Sequence, residues 1–338
     1  MSMIKMNYRK RTRSGSKIKI SIIIPSFNCG KTIEKCLQSL VNQDFPKQKY
    51  EIIVVDNFSK DDTAKVAKKF KKVRFIKKIS NPAEARNYGA KIAKGFILFF
   101  TDADCVLPKN SLKIIERDFQ KYDIVGVGGG YKTLNKNSQA ARFVGYEIAW
   151  RHSRESRFTN FLGTYCCAYK KDIFFKFNGF DEKFSKASGE DPEFSFRIAK
   201  EGYKLLFDKK LFVWHSHPST FGKYFQVQFW RGYWRVLMYK KHPERVFNES
   251  YTGWEIPVAS FFMSLFLLGL FLSVFYFEFL YFALVSLLAF FATYAGFFKF
   301  LYRRESEMLF SAPIIIFSRT IIVFLGFGRG FFHILRGR

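Results

Sequence analysis

The stretch Gly95–Asp104 reads GFILFFTDAD, an apolar run that ends in two carboxylates one residue apart. Such a run is typical of a strand that is buried on both faces of a sheet. Side chains at i and i+2 of an extended chain point the same way, so Asp102 and Asp104 can face one ligand. Oxygen ligands suit Mg²⁺ or Mn²⁺, which often share their shell with substrate phosphates. We therefore expect a divalent-metal site, although aspartate also favours the turn after a strand.

Strand and helix patterns alternate on the N-terminal side of this stretch. Strands are predicted at Lys17–Pro25, Glu51–Val55 and Val73–Lys78, with helices between them and before residue 95. This alternation predicts βαβ units and a parallel sheet. Ligands of such sheets bind beyond the carboxyl ends of the strands. Pro25, Asp56 and Asp102 fall at those ends, so we expect them to line a binding site.

The pattern changes on the C-terminal side. A helix is predicted at residues 140–157, a short strand at 162–169 and a strand pair at Tyr203–Asp208 and Leu211–Trp214. Phe221–Tyr239 then has the pattern of a helix rich in aromatic and basic residues. This organisation predicts a folded domain over residues 18–240.

Residues 241–338 are predicted to anchor the chain in a membrane. Almost every side chain from Ile256 to Phe300 is apolar. This stretch is long enough for two membrane spans of about 20 residues, predicted at 256–277 and 279–300. Leu309–Leu335 is also apolar but contains Arg319 and Arg329, so we expect a partial or interfacial segment there. Lys and Arg at the ends of these segments favour a cytoplasmic membrane with the folded domain facing the cytoplasm.

The 338 residues carry a formal net charge of +28. The basic residues 1–17 are too polar for a signal peptide and are expected to form a disordered arm, either against anionic lipid or free in solvent. Charge of this size also fits nucleic acid, but the chain has no recognised nucleic-acid motif and its candidate site is acidic. We therefore expect membrane lipid as a partner, and no nucleic acid.

Six short motifs follow one another along the chain: SIIIPSFN (Ser21–Asn28), VDNFSKDDT (Val55–Thr63), ARNYG (Ala85–Gly89), TDAD (Thr101–Asp104), GFDE (Gly179–Glu182) and GED (Gly189–Asp191). In this order they resemble the family 2 glycosyltransferases over roughly residues 18–240. The resemblance implies an α/β chain with a GT-A catalytic domain, Rossmann-like with a mostly parallel central sheet, followed by the C-terminal α-helical membrane hairpin. It also implies a nucleotide-sugar donor, UDP- or GDP-linked.

The same resemblance implies which residues contact the nucleotide: Pro25, Ser26, Asp56, Asn57 and Arg86. Asn57 stands where many members have a second aspartate, and Phe58 stands where glycine is usual, so the turn is expected to differ locally. The planar guanidinium of Arg86 suits phosphate or a base edge. A salt bridge from Arg86 to Glu84 or Asp56 is the alternative interpretation.

For the metal, Mn²⁺ or Mg²⁺, the resemblance implies Asp104 as a direct ligand. Asp102 is expected to hold the ribose or a metal-bound water. His215 resembles a further ligand found in some members, although a structural role fits it nearly as well, and His217 is a weaker candidate of the same kind.

Glu190 and Asp191 resemble the acidic pair of the family, in which the second residue is the catalytic base. In an inverting transfer this carboxylate takes the proton of the acceptor hydroxyl. A helix N-cap with Pro192 at N1 is the structural alternative for Asp191. The sequence Gln228–Gly232 resembles the Gln-x-x-Arg-Trp signature of processive members. Gly232 replaces the tryptophan, which argues against polymerisation. Arg231 is still expected to be able to reach the diphosphate.

Together these features predict a membrane-associated, metal-dependent inverting glycosyltransferase. It would move a sugar to a hydroxyl of a membrane-held acceptor, such as a lipid-linked glycan. One alternative is a polyprenyl-phosphate glycosyltransferase, whose acceptor phosphate needs no general base. The other is a non-catalytic basic protein that binds membranes or nucleic acid, for which carboxylates at Asp102, Asp104 and Asp191 would serve no purpose.

Overall fold

A computed structural model of the chain describes residues 18–184, 189–241, 243 and 254–336. The predicted basic arm at residues 1–17 lies outside this part of the chain. Two units are distinguished by their internal contacts: residues 1–135 with 155–217, and residues 136–154 with 218–338. The boundary predicted at residue 240 therefore differs from the observed division, because the segment 136–154 groups with the C-terminal helices.

The first unit is built on a mixed sheet that contains nine strands among the described residues. Its strands are β1 (Ile20–Ser26), β2 (Tyr50–Asp56), β3 (Val73–Lys77), β4 (Ile97–Thr101), β5 (Cys105–Val106), β6 (Gly126–Thr133), β7 (Phe158–Thr159), β8 (Cys166–Lys170) and β9 (Leu205–His215). Their order is β3-β2-β1-β4-β8-β6-β9-β5, with β7 paired to β9. The strands β3, β2, β1 and β4 are mutually parallel, as predicted, whereas β8 is antiparallel to both of its neighbours.

The parallel half of the sheet is buried on both faces. Alternate residues of β1 pack into two separate hydrophobic clusters, with Ile22 and Ile24 in one and Ile23 in the other. This follows from the period of two along a strand. The helices of this unit are α1 (Ile33–Val41), α2 (Thr63–Ala67), α3 (Pro82–Ile92), α4 (Ser111–Lys121), α6 (Lys171–Lys176) and α7 (Glu190–Lys200).

The predicted strand pair at 203–208 and 211–214 is wrong in one respect, because β9 runs without a break from Leu205 to His215. Strand β6 pairs with both ends of β9, and the register shifts between Gly128 and Gly130. At the shift, a Cβ on Gly129 would lie 2.0 Å from the carbonyl oxygen of Leu211. The residues between the two predicted strands therefore belong to a bulge within one strand.

The second unit is helical in its described part. Its helices are α5 (Gln139–Arg154), α8 (Phe221–Lys241), α9 (Glu255–Leu272), α10 (Glu278–Ala292), α11 (Ala295–Tyr302) and α12 (Ala312–Leu335). Within the described residues, α9 and α12 are each long and apolar enough to cross a membrane. The pair α10 and α11, bent by 52°, adds a third span if it is counted as one.

The structure shows which helices two of the predicted membrane segments form, and their placement in a membrane stays a prediction. The segment that was expected to be partial or interfacial forms the 24-residue helix α12, and the second predicted span is broken between α10 and α11. Arg319 does not interrupt α12, because its guanidinium is bonded to the carboxylate of Glu147 and, at 2.8 Å, to the hydroxyl of Tyr294. Arg151 also donates to Glu147, at 2.6 Å. A buried arginine is tolerated when its charge is compensated in this way.

Helices α8 and α12 contact each other at their backbones. A Cβ on Gly232 would lie 2.3 Å from the carbonyl oxygen of Val323, and a Cβ on Gly326 would lie 2.0 Å from that of Phe229. Glycine is the residue that allows so close an approach. This contact explains why glycine, and not tryptophan, occupies position 232.

Candidate active site

The loops that follow β1 and β2 are joined by hydrogen bonds between side chains and backbone. The Asn28 carboxamide oxygen accepts from the Lys60 N–H at 2.9 Å, and the Asp61 carboxylate accepts from the Gly30 N–H at 2.8 Å. The Ser59 hydroxyl accepts from the Asn28 N–H at 2.8 Å. These bonds hold the carboxyl ends of two parallel strands together, where the sequence predicts the nucleotide contacts.

Asp56 is fully buried at this edge, and its carboxylate stabilises the turn. It accepts hydrogen bonds from the hydroxyls of Ser26, at 2.9 Å, and Ser59, at 2.5 Å. Asn57 remains partly exposed, and its side-chain oxygen accepts from the Ser80 N–H at 3.1 Å. Phe58 has φ +51°, so it adopts the left-handed conformation that glycine would adopt more easily. A nucleotide contact by Pro25, Ser26, Asp56 or Asn57 stays a prediction.

Arg86 joins the two acidic motifs of the site. It is only 2% exposed, and its guanidinium donates to Asp102 at 2.8 Å and to Glu190 at 2.9 Å. Burial acts to lower the pKa of Arg86, but these two carboxylates raise it above its ordinary value. The structure thus places Arg86 in an internal salt bridge, with partners other than the Glu84 and Asp56 considered from the sequence.

Asp104 lies next to His215, with 3.3 Å between its Oδ2 and the imidazole Nε2. Burial acts to raise the pKa of the Asp104 carboxyl, but the charge and hydrogen bond of His215 lower it below its usual value. Asp104, Cys105 and His215 offer ligand atoms that all lie within 4.8 Å of one another. Asp102 is not in this group and pairs with Arg86 instead.

This set of donors fits Mn²⁺ or Mg²⁺ held by Asp104 and His215. Carboxylate oxygen and imidazole nitrogen suit Mn²⁺, and such ions complete their shell with water and phosphate oxygens. The thiol of Cys105 is a poor third ligand, because burial raises its pKa well above the ordinary value and keeps it protonated. Its Sγ lies 3.8 Å from Asp104 Oδ1, at hydrogen-bonding distance for sulfur.

Around this part of the site, His217 was a weaker candidate from the sequence, whereas Asn135, Tyr131 and Tyr165 were not found from it. His217 contacts His215 through their Nδ1 atoms, 3.1 Å apart, and its backbone is held by the Asn135 side chain at 3.0 and 2.8 Å. The ring of Tyr131 stacks on Tyr165 with 3.5 Å between centroids, and lies 4.7 Å from the His215 ring. These contacts join β6, β8 and β9, so no local sequence pattern indicates them.

Asp191 lies in the first turn of α7, which begins at Glu190 with Gly189 (φ +148°) as its N-cap. The alternative interpretation of Asp191 as a helix N-cap is therefore wrong, because the helix starts at Glu190 and Pro192 is not its first residue. Asp191 is partly buried, and its carboxylate accepts from the Thr164 N–H at 3.4 Å. Burial and the adjacent Glu190 carboxylate raise the pKa of Asp191 to about 8, against the lowering effect of Arg86.

The structure brings the acidic motifs together in the first unit. Arg86 links Asp102 to Glu190, and the residue after Glu190 is the candidate base. Two adjacent residues form a second connection. The Thr164 N–H donates to Asp191, and the Tyr165 carbonyl accepts from the Thr101 hydroxyl at 2.8 Å. Arg231 lies on α8 of the second unit, and its contact with a diphosphate stays a prediction.

The chain is similar to known proteins both in this region and over its full length. Residues 21–178 match the family model described as Glycosyl transferase family 2. The chain is 27% identical over 341 residues to the dolichyl N-acetyl-alpha-D-glucosaminyl phosphate 3-beta-D-2,3-diacetamido-2,3-dideoxy-beta-D-glucuronosyltransferase of Methanococcus voltae, which covers 92% of this chain and 96% of that protein. It is 29% identical over 220 residues to glycosyltransferase AglE of Haloferax volcanii, covering 62% of this chain and 70% of AglE.

The fold is also found among solved structures. Mannosyltransferase PcManGT from Pyrobaculum calidifontis, solved in complex with GDP-Man and Mn²⁺, superposes with a TM-score of 0.60 at 16% identity and covers 97% of this chain and 94% of its own. This similarity supports the predicted GT-A fold. With the ordered motifs and the two relatives, it indicates a glycosyltransferase whose residues 21–178 resemble glycosyl transferase family 2.

Proposed function

We propose that the chain transfers one sugar, with inversion, from a nucleoside-diphosphate donor to a hydroxyl of a lipid-linked saccharide at the cytoplasmic face of a membrane. The observation that carries this proposal is the bridge from Asp102 through Arg86 to Glu190. It holds the candidate base Asp191 beside the acidic motif that contains Asp104.

In the proposed reaction the Asp191 carboxylate accepts the proton of the acceptor hydroxyl. The acceptor oxygen forms a bond to the anomeric carbon as the bond from that carbon to the diphosphate oxygen breaks. A divalent cation held by Asp104 and His215 would neutralise the charge that develops on the leaving diphosphate. Glu190 and Arg86 keep the first turn of α7 in position, because both are buried and bonded to each other.

The acceptor class is inferred from the relatives. The printed name of the Methanococcus voltae enzyme gives a dolichyl phosphate-linked sugar as its acceptor, and that protein is similar to this chain over nearly its whole length. The helices α9 and α12 are long and apolar enough to cross a membrane, which suits an acceptor that is held in one. A bare polyprenyl phosphate is the competing acceptor. Assays with a panel of UDP- and GDP-sugars and both acceptors, with Mn²⁺ present, would distinguish the two activities.

Replacing Asp191 with Asn tests the base. General-base catalysis contributes about 10²–10⁴-fold, so kcat should fall by that factor while the Kd of the donor and of Mn²⁺ is unchanged. Asp181→Asn is a matched control, because the Asp181 carboxylate accepts from the nearby Lys183 N–H and closes a turn. Near-normal transfer by the Asp191→Asn enzyme would refute the assignment.

The pH dependence of the unmodified enzyme is a second test. The base acts in its charged form, and the raised pKa of Asp191, about 8, keeps it protonated at lower pH. We therefore expect kcat/KM, which reports the pKa of the free enzyme, to fall as pH decreases through about 8, whereas an aspartate of ordinary pKa would stay charged down to about pH 4. A rate that is constant between pH 6 and 9 would contradict the role of this carboxyl.

A further inference from the structure

A cavity of about 510 Å³ lies in the second unit, and none of the residues assigned to transfer lines it. One face of α11 and the last turn of α5 form its walls. We call it the basic pocket and define it by the residues Trp150, Gly296, Lys299, Phe300, Arg303 and Arg304. Positions 296, 299 and 300 share one face of α11, because they are spaced at i, i+3 and i+4, and Arg303 follows at i+7 as the C-cap residue of this helix. Its volume is in the range of small-molecule sites.

The charge of the basic pocket is positive. Three of its lining residues are cationic, and no carboxylate is among the described residues that line it. Two nearby carboxylates have other partners, since Glu305 pairs with Arg142 at 2.8 Å and Glu255 pairs with Arg154. A cavity with this charge attracts an anion.

The remaining wall of the basic pocket is aromatic. Trp150 is largely buried, and the guanidinium of Arg154 stacks over its ring at 3.8 Å. A Cβ on Gly296 would lie 3.7 Å from Trp150 Cζ2 and 4.0 Å from its Nε1, so the missing side chain leaves the edge of the indole facing the cavity. Arg304 lies 4.4 Å over the Phe300 ring. Aromatic and basic groups of this kind are typical of the interface between lipid headgroups and acyl chains.

The neighbouring surface is apolar and exposed. Helix α11 continues the bent pair that begins with α10, where Leu288 is 71% exposed, and it ends at Tyr302, which is 69% exposed. A lipid whose phosphate lies in the basic pocket would therefore have apolar surface available for its chains. Basic pockets at the ends of membrane helices bind phosphate headgroups in this way.

We propose that the basic pocket binds the phosphate headgroup of an anionic bilayer lipid. This binding is separate from sugar transfer, since it uses none of the residues placed in the reaction. It can therefore be measured, and can fail, independently of the proposed function.

Native mass spectrometry of the full chain in detergent tests the proposal, with phosphatidylglycerol or phosphatidylcholine added. We expect one phosphatidylglycerol to be retained per chain, and little phosphatidylcholine. The double variant Lys299→Glu, Arg303→Glu should lower the affinity for phosphatidylglycerol at least about tenfold, because each basic residue near a lipid phosphate contributes roughly 1 kcal/mol. Lys223→Glu with Arg336→Glu makes the same change in net charge outside the basic pocket and should leave retention unchanged.

Gly296→Leu is a second variant that fills the cavity without changing charge, and it should also reduce retention. Thermal unfolding of each variant would verify that it is folded. Equal retention by the pocket and control variants would overturn the proposal, as would equal retention of phosphatidylcholine. Binding of free glycerol phosphate as tight as that of phosphatidylglycerol, or preferential retention of a polyprenyl phosphate, would assign the cavity to a different ligand and also overturn it.

Discussion

The side chain of His217 orients a neighbouring imidazole. Nδ1 of His217 and Nδ1 of His215 lie 3.1 Å apart, so one must donate to the other. A metal bound at His215 Nε2 requires the proton of that ring on Nδ1, which then donates to His217. Partners of this kind fix the tautomer and ring orientation of a ligand. His217 is thus a positioning residue for the proposed metal site.

We expect His217→Phe to weaken Mn²⁺ binding by about 10–100-fold, the usual loss when such a partner is removed. The variant keeps a ring of similar size, and the backbone bonds to Asn135 remain. Electron paramagnetic resonance titration of free Mn²⁺ would measure the change without any assay of transfer. Tyr131→Phe keeps the aromatic stack and serves as the control. An unchanged Kd would exclude the positioning role.

The sequence predicts the acidic residues of the candidate site but not the partners of the arginine between them. Asp102, Asp104 and Asp191 are recognisable because each belongs to a short motif at the end of a strand or the start of a helix. The role of Arg86 depends on Glu190, which is 104 residues away along the chain. Its burial follows from how the sheet and α7 meet, which the motif ARNYG does not encode.

The contact between α8 and α12 depends on the absence of side chains at a few positions. We expect Gly326→Ala to destabilise the second unit by about 1–3 kcal/mol, because the new Cβ would lie 2.0 Å from the Phe229 carbonyl oxygen and the helices must separate. Gly328→Ala, on the same helix with nothing within 4 Å, should be neutral or slightly stabilising. Thermal unfolding in detergent would compare them, and equal melting temperatures would refute this account of the packing.

Helices and strands were predicted well where their residues repeat regularly. The alternation of strand and helix from β1 to β4 is confirmed. The error in β9 occurs where a distant partner determines the element, because β9 stays continuous through a bulge opposite β6. In α12, likewise, the charge of Arg319 is compensated by the distant Glu147. Neither partner is visible in the segment itself.

The second unit is not continuous in sequence, because α5 groups with the C-terminal helices. A chain truncated after Lys241 would keep α5 but lose two of its contacts. Arg319 bonds Glu147 of α5, and Phe297 packs against Trp150 of α5. We expect this truncated chain to aggregate, since a buried carboxylate and apolar side chains would be exposed without partners. Size-exclusion chromatography in the detergent used for the full chain would measure this.

A second truncated chain, residues 18–217 with 136–154 replaced by a glycine–serine linker, provides the comparison. It retains the complete sheet of the first unit and should elute as a monomer. If both truncated chains were equally monodisperse, α5 would not depend on the C-terminal helices in the way described.

The close approach of α8 and α12 also has a consequence for biosynthesis. Helix α8 leaves the ribosome while the residues of α12 are still untranslated, a delay on the order of several seconds at usual elongation rates. During that interval the face of α8 that contains Gly232 lacks the backbone of α12 that it contacts in the folded chain. The contact that joins α8 to α12 therefore forms only after α12 has been synthesised.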